Sequence, residues 1–292
     1  MKLQIFIIGC FCLFIVAEVN AQEYNDTTQV WRIITIDGNE FIGTIKKKEP
    51  TQIIVTSPIY GEIMLNQSAI NKMELVQQKQ LIKGELWTDN PQSSRYFWVP
   101  NGYGLKKGEG YYQNVWVLFN QASYGFSNYF SVGVGMLPLF LFGGEATPVW
   151  ITPKFSFPIV KDKFNLGVGT IVGTVIGEDA GTAGLVYSVA TIGNRNTNLN
   201  FGVGYGFVDD DWGSTPVFSF SAMARVSRSS YLLTENYLIT TEGETVSLIM
   251  IGARTVWTKV SIDYGLVVPI SDEMDQPVAI PWLGFVVPFG TY

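Results

Sequence analysis

The sequence predicts an all-β chain: an antiparallel transmembrane β-barrel of about twelve strands, ten being the lower count, preceded by a small five-stranded SH3/Sm-like β-domain. Three observations carry this expectation. Hydrophobic residues are 47% of the chain and charged residues only 15%, with a mean hydropathy of +0.19, a membrane-like composition. Beyond the N-terminus no apolar run approaches the ~18–20 residues that a spanning helix needs; the longest, Val132 to Phe142, contains two glycines and Pro138. Long stretches of the second half alternate instead with period two. Only helices and closed barrels satisfy every backbone group inside lipid, so a greasy chain without spanning helices points to a barrel.

Residues 1–21 read as a cleaved secretory signal. Lys2 supplies a positive charge, Leu3 to Ala17 is apolar apart from Gln4 and Gly9, and Val19-Asn20-Ala21 offers a peptidase site followed at once by polar sequence. Ile7-Ile8-Gly9-Cys10 has the look of a lipoprotein box, but the apolar run continues past it. Cys10 and Cys12 both fall within the signal, so the mature chain is expected to have no disulfide framework and no thiolate chemistry. There is no histidine, which excludes Ser-His-Asp and Cys-His catalysis and His-based zinc sites.

Residues 22–28 form a polar lead. From 29 to 76 short strands crowd together: Val30 to Ile36, a turn at Asp37-Gly38-Asn39-Glu40, Phe41 to Ile45, then Thr51 to Ser57, Gly61 to Asn66 and Ile70 to Leu75. Five strands in so few residues suit a strongly curved small barrel. The run Ile36-Asp37-Gly38-Asn39-Glu40-Phe41-Ile42-Gly43, with Tyr60-Gly61-Glu62-Ile63 and Ile70-Asn71-Lys72-Met73, resembles the Sm-like and SH3-like small barrels. Sm-like domains often bind RNA, but a pI near 4.8 and an exported chain argue against a nucleic-acid partner. Lys46-Lys47-Lys48 reads as a solvated turn. The expected use is a periplasmic protein partner bound through 29–76. Residues 77–94, with the breaker cluster Asp89-Asn90-Pro91-Gln92-Ser93-Ser94, read as a linker.

Barrel strands are expected at 95–100, 110–124, 129–142, 147–158, 164–176, 183–193, 198–208, 216–226, 230–239, 245–255, 258–269 and 278–289. In the clearest, Leu199, Phe201, Val203, Tyr205 and Phe207 share one face while Asn198, Asn200, Gly202, Gly204 and Gly206 share the other. In a membrane barrel the greasy row meets lipid and the thin row lines the lumen. Faces cannot be assigned for 230–239 and 245–255. Alternate connections then segregate by charge. One set holds Glu145, Glu178, Asp179, Asp209, Asp210, Asp211, Glu242, Glu244, Asp272, Glu273 and Asp275; the other holds Lys161, Asp162, Lys163, Arg195 and Arg228. Lys106 and Lys107, with Glu109, dissent from this pattern.

Leu283, Phe285, Val287 and Phe289 alternate toward a terminal Tyr292, which resembles the C-terminal β-signal of outer-membrane proteins. The blocks Gly108-Glu109-Gly110-Tyr111-Tyr112, Asn120-Gln121, Tyr124-Gly125 and Thr147-Pro148-Val149-Trp150-Ile151-Thr152-Pro153-Lys154 resemble uncharacterised outer-membrane proteins of Bacteroidota type. That resemblance spans most of 95–292 and implies an outer-membrane location and a barrel fold, with no activity; outer-membrane lipid is then an expected partner, and the N-terminal domain is expected in the periplasm.

Candidate site residues are few. The glycines of Gly167-Val168-Gly169 and Gly202-Val203-Gly204 are strand glycines, not a phosphate loop, and Asp209-Asp210-Asp211-Trp212-Gly213 lacks the ligand spacing of a calcium loop. Lys154, Arg225, Lys259 and Asp263 fall on thin, lumen-facing rows, and Glu235 lies in an otherwise apolar strand. They suit a selectivity ring or binding site, or an internal salt-bridge network filling a narrow barrel, and the network is favoured because charges withdrawn from water are normally paired. The expected function is a non-enzymatic outer-membrane barrel, a narrow pore or binding protein, without cofactor or metal. Its rivals are an outer-membrane enzyme acting on lipid or peptide, and a structural barrel with a plugged lumen.

Overall fold

The computed structural model describes residues 29–76, 81–82, 85–138, 146–177, 181–241, 244–257, 260–271 and 278–290. The expected signal peptide and polar lead lie outside them. The chain divides into two compact units, 1–84 and 85–292.

In the first unit, β1 (Val30–Thr35), β2 (Glu40–Lys48), β3 (Gln52–Ser57), β4 (Gly61–Asn66) and β5 (Ile70–Val76) form one antiparallel sheet in the order β4-β3-β2-β1-β5, with a 3-10 turn at Gln67–Ala69 before the last strand. Alternating residues Ile33, Ile53, Val55 and Leu65 are buried as its core. On its other face Arg32 holds Glu40 at 2.9 Å and Glu74 at 3.3 Å. Hydrogen bonding from Lys72 lowers the Glu74 pKa against the opposing effect of desolvation, and Arg32 adds to the lowering. A carboxylate with a folded pKa below its unfolded one stabilises above the unfolded value and loses that contribution as pH falls through the folded value. This unit should therefore keep its stability from neutrality to about pH 5 and lose part of it below about pH 4. Hydrogen exchange of β1 and β5 amides, corrected for intrinsic rates, measures this; stability unchanged down to pH 3 would refute it.

After β6 (Leu81–Ile82) and β7 (Glu85–Leu86), the second unit is a closed antiparallel barrel. Its strands are β8 (Glu109–Val115), β9 (Phe119–Gly125), β10 (Phe130–Met136), β11 (Thr147–Val160), β12 (Phe164–Ile176), β13 (Ala183–Gly193), β14 (Thr197–Val208), β16 (Val217–Arg225), β17 (Ser230–Thr241), β18 (Glu244–Val256), β19 (Ser261–Ser271) and β20 (Ile280–Gly290); β15 (Asp211–Trp212) is a two-residue return against β14. Each pairs with its neighbours, β13 pairs with β14, and β20 pairs with β8 to close the ring. Among the described residues no helix is long and apolar enough to cross a membrane.

The faces follow the alternation. Leu199, Phe201, Val203 and Tyr205 are exposed on the outside while Asn198 and Asn200 are buried inside. Phe155, Phe157, Phe218, Phe220, Leu283, Phe285, Val287 and Phe289 continue this outer surface. Exposed apolar rows around a closed sheet belong against hydrocarbon, since a monomeric soluble protein rarely shows so large a patch to water.

Two strand assignments need correction, and they offset each other in the count of twelve. Residues 95–100 are not a wall strand; apart from one bridge between Arg95 and Pro100 they lie inside the barrel, with Tyr96 and Phe97 fully buried. The stretch 110–124 is not one strand but the hairpin β8–β9. Its turn contains Trp116 and Val117 at φ 53° and 66°, a left-handed conformation unusual for a β-branched residue. The corrected path moves Lys106 and Lys107 to the end of the barrel that also carries Lys161, Lys163, Arg195 and Arg228. The dissent therefore disappears. Asp209, Asp210, Asp211 and Glu244 lie at the opposite end, while Glu145, Glu178, Asp179, Glu242, Asp272, Glu273 and Asp275 lie outside the described residues.

Candidate functional site

The lumen contains a plug made by the chain's own residues 87–107, held by the charges that the barrel wall turns inward. A buried guanidinium must fill five N–H donors, and Arg254 on β18 fills its donors with the plug and the neighbouring strand. Its Nε and Nη2 donate to the two carboxylate oxygens of Asp263 on β19 at 2.7 and 2.8 Å, with both side chains sealed from solvent. Nη2 also donates to Tyr96 O at 2.7 Å, and Nη1 to Gln92 O at 2.9 Å, Asn90 Oδ1 at 3.3 Å and Arg95 O at 3.4 Å.

The other inward charges act in the same way. Lys154 Nζ on β11 donates to Tyr103 O at 2.6 Å and Ser94 O at 3.4 Å. Arg225 on β16 donates to Thr88 O at 2.8 Å and stacks on Trp87 and Tyr231. In the turn after β13, Arg195 reaches Ser93 Oγ and Gly104 O, both at 2.9 Å, and lies over the Tyr103 ring; burial lowers its pKa from the ordinary value. Glu235 on β17 takes the plug tip. Its Oε2 accepts the backbone N–H of Trp98 at 2.9 Å and of Val99 at 3.1 Å, and its Oε1 accepts the Tyr237 hydroxyl at 2.6 Å. Gln113 bridges Arg95 and Phe97 O.

Of the residues singled out in the sequence, Lys154, Arg225, Asp263 and Glu235 thus all face the lumen; Lys259 lies outside the described residues. The favoured salt-bridge network is corrected. Two ion pairs are described in this unit, Arg254–Asp263 sealed inside the barrel and Lys106–Glu109 at its basic end, while Lys154, Arg195, Arg225 and Glu235 are held by main-chain and uncharged side-chain groups, mostly those of the plug. Glycines of the thin rows explain how the plug fits. A Cβ on Gly102 of the plug would come within 2.5 Å of Asn165 O on β12, and a Cβ on Gly167 of the same strand would meet Gly102 Cα at 3.4 Å. Plug and wall touch backbone to backbone.

The plug fills only the half of the lumen next to the start of β8 and the end of β20. Its tip, Trp98-Val99-Pro100, is the floor of an apolar chamber of about 470 Å³ in the other half, within the ~300–1,000 Å³ usual for small-molecule sites. Ile171, Leu185, Ile239, Leu248 and Val267 form part of its wall, and a ring cluster of Trp98, Trp116, Phe119 and Trp282 flanks it, with centroids 5.0–6.1 Å apart.

No family model and no curated protein matches the chain. Among solved structures it is similar to OmpT, an outer membrane protein of Vibrio cholerae. A loop L8 deletion mutant of OmpT is 10% identical over 89% of this chain and 96% of that one, with a TM-score of 0.36. The outer-membrane-expressed OmpT is 10% identical over 90% and 95%, with a TM-score of 0.34. The likeness is one of barrel architecture alone.

Chamber and plug differ sharply in chemistry. Below the tip, the described inward charges Lys154, Arg195, Arg225 and Arg254 are tied to the plug; above it, the described chamber lining is almost wholly apolar. Among the described residues the carboxylate at the chamber floor is that of Glu235, and it has both oxygens engaged.

Proposed function

We propose that the chain is a non-enzymatic outer-membrane barrel, plugged at its basic end, that binds an apolar ligand in the opposite half of its lumen. The observation that carries this reading is the apolar chamber standing on the plug tip. A pore would need a continuous polar path, and the plug occupies that path with fully buried Tyr96, Phe97 and Gln92. In the outer membrane the basic end faces the periplasm, and the N-terminal sheet is a periplasmic interaction module for a protein partner. Its strand order and the 3-10 turn before β5 support the SH3/Sm-like reading of that module.

The reading is tested with purified full-length protein. It should bind the neutral fluorophore N-phenyl-1-naphthylamine at one site and show no steady conductance in planar bilayers. Val267→Trp, which fills the chamber, should weaken that binding at least about tenfold, equivalent to ~1.4 kcal/mol, without changing heat-modifiability on a gel. Steady ion currents from the intact protein, or binding indifferent to Val267→Trp, would defeat it.

A further inference from the structure

Among the described residues the barrel wall is not of even height, and its low side borders the chamber. Strands β8, β9 and β10 have seven residues each, whereas β11 has 14, β12 has 13, β17 has 12 and β18 has 13. At ~3.3 Å per residue and ~40° tilt, seven residues rise about 18 Å, short of an apolar band of about 25 Å. The flanking strands record the gap. β20 pairs with β8 only from Gly284 to Gly290, so Ile280 to Leu283 stand above it; on the other side the β10–β11 pairing runs past Met136 and Val149 to Leu137, whose N–H donates to Pro148 O at 3.1 Å.

An open sheet edge in lipid is costly unless its backbone groups are filled. The turn of the β8–β9 hairpin fills part of it: the Trp116 N–H donates to Leu283 O at 3.0 Å and the indole N–H to Pro281 O at 2.8 Å. Pro281 itself has no N–H to satisfy. The left-handed turn is pinned by Asn114 Oδ1, which accepts Val117 N–H at 3.1 Å, and by Asn120 Nδ2, which donates to Leu118 O at 2.9 Å. Its tip, Trp116-Val117-Leu118, is apolar, and Val117 is 75% exposed. Trp116 and Phe119 also line the chamber. The same residues therefore form the low rim outside and the chamber wall inside, an unbroken apolar path between the two. The opposite part of the rim, at the tops of long strands, carries Asp209, Asp210, Asp211 and Glu244.

We infer that the chamber's ligand is a membrane-resident amphiphile, whose acyl chain passes sideways over the β8–β9 turn between bilayer and lumen. This rests on the binding-barrel reading and adds to it the class of ligand and its route. Backbone strain held at this turn fits a functional position.

The test uses full-length protein in phosphatidylcholine vesicles containing a phosphatidylcholine with a photoreactive diazirine at the end of one acyl chain. Illumination should label chamber residues such as Leu248 and Val267. Val117→Glu places a charge where the chain must cross and should cut that labelling about tenfold or more, while N-phenyl-1-naphthylamine added from water still binds. Fluorophore binding with no chamber labelling would overturn the lipid route and leave the binding reading standing. Loss of both in the intact protein would overturn both. Equal labelling in Val117→Glu and the parent would refute passage over this turn.

Discussion

Replacing Arg254 with Ala is expected to destabilise the barrel by about 3–5 kcal/mol, because it strands the buried Asp263 carboxylate and the main-chain oxygens of the plug together. Removing one member of a sealed ion pair leaves an uncompensated charge, whereas replacing both members with apolar residues of similar size often costs little. The double variant Arg254→Met with Asp263→Leu should accordingly be more stable than Arg254→Ala. It should not restore the plug, since Gln92 O and Tyr96 O have lost their donor in either case. Two measurements separate these effects. The unfolding temperature reports the ion pair, and a thiol reagent reports the plug through Ser94→Cys, a buried position. Labelling of that thiol should be slow in the parent and fast in both the single and the double variant. If Arg254→Ala left both unfolding and labelling unchanged, the guanidinium would not be what anchors the plug.

Much of the barrel was legible because its signal is local. Phe164–Ile176 and Ala183–Gly193 appear with the expected bounds, and the outward rows are those that alternation picks out. Two features were hidden for physical reasons. The β8–β9 turn contains no Gly, Asn, Asp or Pro, so nothing in Trp116-Val117-Leu118 marks a reversal; the chain is bent there by Asn114 and Asn120 and by the neighbouring strand. The aromatic run Tyr96-Phe97-Trp98 has strand-like composition, yet its backbone is satisfied by Arg254, Gln113 and Glu235, partners 16–158 residues away that no local pattern announces. The third failure is informative. Faces could not be assigned on β17 and β18 because alternation presumes a polar lumen, and there the inward residues Leu233, Tyr237 and Ile239, and Leu248 and Met250, are as apolar as the outward Ile249 and Ile251. Most of those inward residues line the chamber. The pattern broke where the candidate site is, as local rules tend to at functional positions, and Arg254 was missed because it shares the unassigned face of β18.

Glu235→Ala should have the second large effect, of a different kind. This carboxylate does not hold the root of the plug but its tip, accepting two successive backbone N–H groups and one hydroxyl. Hydrogen bonds to a charged group are worth about 1.5–3 kcal/mol each, and buried donors left without an acceptor cost about 1–3 kcal/mol more apiece; the three bonds share one group, so the whole is not their sum. The expected loss is about 3–4 kcal/mol, concentrated at Trp98 and Val99 while Arg254, Lys154 and Arg195 still fasten the rest of the segment. Since Trp98, Val99 and Pro100 are the chamber floor, N-phenyl-1-naphthylamine binding should fall more than the root's protection, and Ser94→Cys in this background should stay slow to label. Glu235→Gln provides the control. Its amide oxygen can still accept both N–H groups, so binding should fall by less than in the Ala variant. Were Ala to speed labelling at position 94 as much as loss of Arg254 does, root and tip would be one cooperative unit, and the division of the lumen into an anchored half and a binding half would be wrong.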